Sequence, residues 1–166
     1  NADDMWALGY TGQGQTIAVI DTGIKVNHTN FATAPQDPHF DAAGIQSVLN
    51  RYDLCAEERY NGTLTGATLY HSAKLPFTFN YYAGNTDVSH ANAGSDHGTH
   101  VSSIAAGCDS SSRGVAYNAQ IISMQVFQNG GAAWTEILAA LEDCAWLEVD
   151  ALNMSLGSDN GFTQGE

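Results

Sequence analysis

Residues 16–20 read Thr-Ile-Ala-Val-Ile, a run with β-branched and apolar side chains on both of its alternating faces. A strand with no face to turn toward water must be covered from above and below, the situation of a central strand in a parallel sheet. Three further stretches have the same character: LPFTFNYY at 75–82, AQIISMQVF at 119–127 and VDALNMSL at 149–156. Pro76 stands at the entry of the first of these, where a missing N–H does least harm.

Helical spacing separates them. DAAGIQSVLNRYDL (41–54) repeats Ile45, Val48, Leu49 and Tyr52, and HGTHVSSIAAG (97–107) sets Val101, Ile104 and Ala105 on one face and stops at Gly107. A helix over Thr135–Leu147 turns Ile137, Leu138, Leu141 and Ala145 inward. Strands alternating with helices predict a three-layer α/β fold around a mainly parallel sheet with right-handed crossovers. Residues 55–75 lack strong periodicity and read as an irregular insertion with a short strand near Ala67–Tyr70, while NGGAA (129–133) reads as a turn.

Composition narrows the partners. Against 18 acidic residues stand five Lys plus Arg, for a formal charge of -13, which excludes a nucleic-acid backbone as ligand because that needs clustered cations. No run of about 18 apolar residues is present to span a membrane. The opening NADDMWALGY has no basic and apolar leader pattern. Cys55, Cys108 and Cys144 are too few for a disulfide scaffold and show no CxxC spacing; one pair closes or none does, and Cys144 reads as a packed thiol.

Two clusters carry chemistry. Asp21 follows the first apolar strand, and in open α/β sheets functional groups collect at the carboxyl ends of strands. A carboxylate there is partly desolvated and requires donors or a cationic partner, which Thr22 and Gly23 suit by forming a tight turn. His97 opens a helix after the loop GNTDVSHANAGSD, and Gly98 beside it lets another backbone approach closely. Taken singly, Asp21 fits a structural turn and His97 a surface histidine; together they suit an acid that orients a base. His100, three residues on, reads as a packing residue.

The joint pattern resembles the subtilisin-like serine proteases. IAVIDTGI, with Asn27 and His28 beyond it, is similar to the family's aspartate motif, HGTHVSSIAAG to its histidine motif and ALNMSLGS to its substrate-binding strand. The insertion and KLPFTFNYYAGNTDV lean toward the lactocepin-like cell-envelope proteinases. The resemblance implies a subtilisin-like fold, incomplete at its C-terminal side, with residues 1–166 as the N-terminal part of a peptidase S8 catalytic domain. It implies that Asp21 and His97 are catalytic. It further implies that Gly130, Gly131 and Ala132 form one substrate-binding edge strand and Ser155, Leu156 and Gly157 the facing one, with Trp134 beside a side-chain pocket.

No serine here stands in the Gly-Thr-Ser-Met-Ala setting that the family's nucleophile occupies, so this stretch holds base and orienter alone and is expected to be inactive by itself. Its expected partners are a peptide or protein substrate, the remaining half of its own domain and a second copy, since an unpaired sheet edge associates. The chemistry requires no cofactor, calcium is compatible with the resemblance, and an extracellular location is what the family implies. Three rival readings suit the residues less well. An aspartic protease needs a second close carboxylate, and no second Asp-Thr-Gly occurs. A metal module would use Asp21, Asp96, His97 and His100, yet no His-Glu-x-x-His helix is present. A non-catalytic peptide-binding relative would have no use for a paired acid and base.

Overall fold

The computed structural model describes residues 1–157. Strands β1 (Thr16–Asp21), β2 (Phe77–Asn80), β3 (Gln120–Gln125) and β4 (Ala151–Asn153) form one sheet in the order β2-β3-β1-β4. Every pairing is parallel, with Asp21 beside Gln125 at the carboxyl end of the β1–β3 ladder. The helices are α1 (Ala2–Ala7), α2 (Ala42–Leu49), α3 (Cys55–Arg59), α4 (Gly66–Leu69), α5 (His90–Ala93), α6 (His97–Ala106) and α7 (Trp134–Trp146). No helix among the described residues is long and apolar enough to cross a membrane.

The sheet divides two cores, as a strand apolar on both faces requires. Ala18 and Ile20 of β1 join Phe77, Phe79, Ile122 and Met124 in a cluster covered by α7 and α2. Val19 joins Ile121, Ile24 and Ala106 on the other face, with Ile17 and Val101 partly buried beside them. Strand parity then puts Asp21 on the side of Ile17 and Val19, the side that α6 covers. The three-layer arrangement is the expected one, and its layering decides where the acid points.

Three local expectations need correction. The segment Ala67–Tyr70 is not a strand: α4 begins one residue earlier, where the Thr65 hydroxyl accepts from Thr68 N at 3.1 Å. Gly66 lies so close to α2 that a Cβ would collide with the Ala42 carbonyl, so a cap and a tight helix contact override the β preference of the side chains. The rest of the insertion is likewise ordered, with α3 opened by Glu57, whose carboxylate accepts from Leu54 N at 3.2 Å.

The inward face of α7 is rotated from the expected one. Ile137 is buried, but Leu138 is 59% exposed and Ala145 faces water, while Ala140, Asp143, Cys144 and Leu147 point in. Asp143 is the cause. Its carboxylate accepts from Cys55 N at 2.7 Å, Ala56 N at 3.0 Å and the Tyr81 hydroxyl at 2.7 Å, satisfying the donors that open α3. Burial, stronger than these donors, raises the Asp143 carboxyl above the ordinary range. Burial and then Asp143 push the Cys55 and Cys144 thiols up to about 12. All three cysteines are free thiols.

The buried face of α6 consists of Gly98, Thr99, Ser102 and Ala106, while Ile104 is 55% exposed. Small size, not apolarity, selects this face, because the helix presses directly on the turn that follows β1.

Candidate active site

Asp21 ends β1 with 1% of its surface exposed. A carboxylate so buried needs donors, and two are present. Thr22 N donates to Oδ1 at 2.7 Å, and His97 Nδ1 stands 2.9 Å from Oδ1 and 3.0 Å from Oδ2. An ionised carboxylate only accepts, so Nδ1 carries the proton and Nε2 of the neutral ring keeps its lone pair. The His97 side chain is 45% exposed, so the acid is sealed while the base it orients is open to solvent.

The helix start is fastened to the strand end by short local contacts. Gly98 N donates to Thr22 Oγ1 at 2.9 Å, His97 N to Ser95 Oγ at 3.2 Å and Lys25 N to Thr99 Oγ1 at 2.9 Å. Gly23 holds φ +93°, and a Cβ there would strike the Val88 carbonyl, so the turn demands glycine on two counts. A Cβ on Gly98 would collide with the Gly23 carbonyl and come within 3.1 Å of Asp21 Oδ1. Gly98→Ala should therefore lift α6 from β1 and cost about 1–3 kcal/mol of stability, the usual range for overpacking. Urea unfolding of the variant checks this; an unchanged midpoint would show that the contact is slack.

Gly130, Gly131, Ala132, Trp134, Leu156 and Gly157 come together, with Phe127 and Ile137, around a cavity of about 310 Å³. Ser155 is not among its lining residues and instead exchanges hydrogen bonds with the Asn153 side chain at 3.0 and 3.1 Å. The expected edge strand at 130–132 is absent. Gln128 and Gly131 exchange backbone hydrogen bonds at 2.9 and 3.0 Å across Asn129 (φ +50°) and Gly130 (φ +81°). Positive φ at both central residues is the two-residue turn that Asn-Gly favours, which curls the segment back on itself. On the facing side β4 ends at Asn153, and Ser155–Gly157 continue outside any strand.

His100 is exposed and makes no contact with Asp21; with His97 it lines a separate open cavity. Lys25, His28 and His90 line that cavity too; of these the sequence marks only His28, as part of the aspartate motif, and only the crowding of histidines hints at a cavity. Thr22, whose hydroxyl ties the two motifs together, was legible only as a turn residue. Among the described residues no three His, Cys, Asp or Glu side chains gather to hold a metal ion, so Asp21, Asp96, His97 and His100 do not assemble the donor set that the metal module would need.

A sequence profile of the subtilase family, Peptidase_S8, matches residues 12–166. The chain is 33% identical over 172 residues to a PII-type proteinase of Lacticaseibacillus paracasei, covering 97% of this chain and 8% of that protein. It is 30% identical to the Minor extracellular protease Vpr of Bacillus subtilis, covering 95% of this chain and 16% of the relative. Subtilisin DY of Bacillus licheniformis is 26% identical, over 98% of this chain and 44% of its own. The chain thus spans less than half the length of each of these relatives.

Proposed function

The chain belongs to the subtilase family, and from that premise we propose that it is the N-terminal part of a serine endopeptidase catalytic domain, in which Asp21 and His97 are two members of a catalytic triad. The observation that supports this best is the bond between His97 Nδ1 and the buried Asp21 carboxylate at 2.9 Å, with the remainder of the imidazole open to an incoming group.

The chemistry follows from the tautomer. His97 Nε2 takes the hydroxyl proton of a serine supplied from outside residues 1–166 as that oxygen attacks the scissile carbonyl. The imidazolium so formed lies against the Asp21 carboxylate, whose charge stabilises it in a poorly hydrated setting. His97 then gives the proton to the leaving amine as the C–N bond breaks, and water repeats the cycle on the acyl-enzyme. This acyl transfer requires no cofactor.

The substrate's acyl side lies along Gly130, Gly131 and Ala132 and along Ser155, Leu156 and Gly157. Trp134, 69% exposed beside Leu156, borders an apolar side-chain pocket there. A peptide laid between two chain segments gains main-chain hydrogen bonds, and the pocket adds preference. Trp134, Leu138 and Leu152 are all exposed, with Leu152 on the three-residue edge strand. That surface suits coverage by the rest of the domain or, failing that, by a second copy. The name of the Bacillus subtilis relative, an extracellular protease, favours an extracellular location.

Residues 1–166 made alone should neither hydrolyse peptides nor react with a serine-directed fluorophosphonate. The full-length protein should be labelled at one serine beyond Glu166, and His97→Ala should abolish that labelling. Burst labelling of the isolated chain, or none in the full-length protein, would overturn the proposal.

A further inference from the structure

The open cavity beside His97, about 850 Å³, has an unusual charge for this protein. The whole chain holds five Lys plus Arg and six histidines against 18 acids, yet Lys25, His28, His90, His97 and His100 line this one cavity and Asp96 is its only carboxylate. Among the described residues no carboxylate pairs with Lys25. Asp109, outside the cavity lining, lies near His28, and its Oδ1 accepts from Ser111 N at 2.8 Å and Ser111 Oγ at 2.7 Å.

Two ring nitrogens have no protein partner among the described residues. His28 Nδ1 accepts from Asn30 N at 3.2 Å, so in the neutral ring Nε2 bears the proton and must donate elsewhere. His90 Nδ1 is buried with no hydrogen-bond partner among the described residues. A buried polar atom without a partner marks a place where a ligand group or water belongs.

The side of the scissile bond follows from the chemistry. The cavity at Gly130, Gly131 and Leu156 shares no residue with this one. If the acyl half of the substrate lies there, the half released when His97 protonates the amine departs past His97 and over the basic cavity. The geometry points to a leaving-group-side subsite for an acidic substrate side chain, bound by Lys25 and the ring N–H groups of His28, His90 and His100. This inference rests on the serine endopeptidase reading for its placement of the two halves.

The test uses the full-length protein and peptides identical on the acyl side, with Glu, Gln or Lys at each of the first three positions after the scissile bond. Glu should exceed Gln by about tenfold in kcat/KM at one position, the return of a charge-assisted hydrogen bond over a neutral one. Lys25→Gln should remove most of that preference, read as the ratio of kcat/KM for the Glu and Gln peptides, and Asp96→Asn should widen the ratio. A second measurement needs no turnover: Ala-Glu-amide, but not Ala-Gln-amide, should protect His28 and His90 from carbethoxylation, read residue by residue by mass spectrometry. Equal cleavage of the Glu and Gln peptides, or equal protection by the two amides, overturns the subsite and leaves the endopeptidase reading standing. Cleavage of no peptide counts against that reading instead, and the protection experiment then decides the anion site on its own.

Discussion

Asp21→Asn in the full-length protein is expected to lower kcat by about four orders of magnitude with little change in KM, the size of effect that loss of the triad carboxylate has in other serine proteases. The physical reason is the tautomer. A carboxylate 2.9 Å from Nδ1 can only accept, which obliges that nitrogen to hold the proton. An asparagine amide can turn its NH₂ toward the ring, and Nε2 then carries the proton and ceases to be a base. The developing imidazolium also loses its counter-charge. Steady-state kinetics with unchanged circular dichroism checks the outcome. A loss below about tenfold would show that His97 is oriented by something other than Asp21, since a single positioning hydrogen bond is worth about that much.

The second large effect is on stability. Asp143→Ala leaves Cys55 N, Ala56 N and the Tyr81 hydroxyl without their acceptor. Three stranded donors at about 1–3 kcal/mol each, partly rescued by water, should cost about 3–5 kcal/mol in urea unfolding. Asp143→Asn keeps an acceptor and should cost less. The pH dependence has a definite sign. Because the folded-state carboxyl sits above its ordinary 3.8, the folded protein binds this proton more tightly than the unfolded chain. The contribution of Asp143 is therefore greatest below the ordinary value and is lost as pH rises through the folded one. Wild type should gain on Asp143→Asn between pH 7 and pH 4; a constant difference would mean that the carboxyl titrates alike in both states.

Strand positions were readable because burial on both faces leaves a plain compositional mark, as in Ile17–Ile20 and Ile121–Met124. That Asp21 and His97 would meet was readable because each stands where an element begins or ends, and strand parity alone then puts Asp21 under α6. What escaped was decided by contacts distant in the chain. Asp143 looks like a solvent-facing helix residue until α3 arrives with unsatisfied donors, and its burial turns Leu138 outward. The buried stripe of α6 is small rather than greasy, because Gly23 leaves room for nothing larger than Gly98, so of the expected apolar face Val101 and Ala105 reach the core only in part and Ile104 not at all. Thr65 caps α4, a local signal that outweighs the β preference of the side chains after it. The basic cavity is assembled from β1's following loop, α5 and α6, and no single segment announces it.

The sheet also acts as a partition. Asp21 and His97 lie with the layer of α6, whereas Ile137 beside Trp134 packs with the layer of α7, in a different core. Exchanging Trp134 or Leu156 for residues of other size would reshape the groove without passing strain through β1 to the carboxylate. On the proposed function, the pair that would move the proton is thereby set apart from changes in what the groove accepts, and such a scaffold can vary its diet while its engine stays untouched.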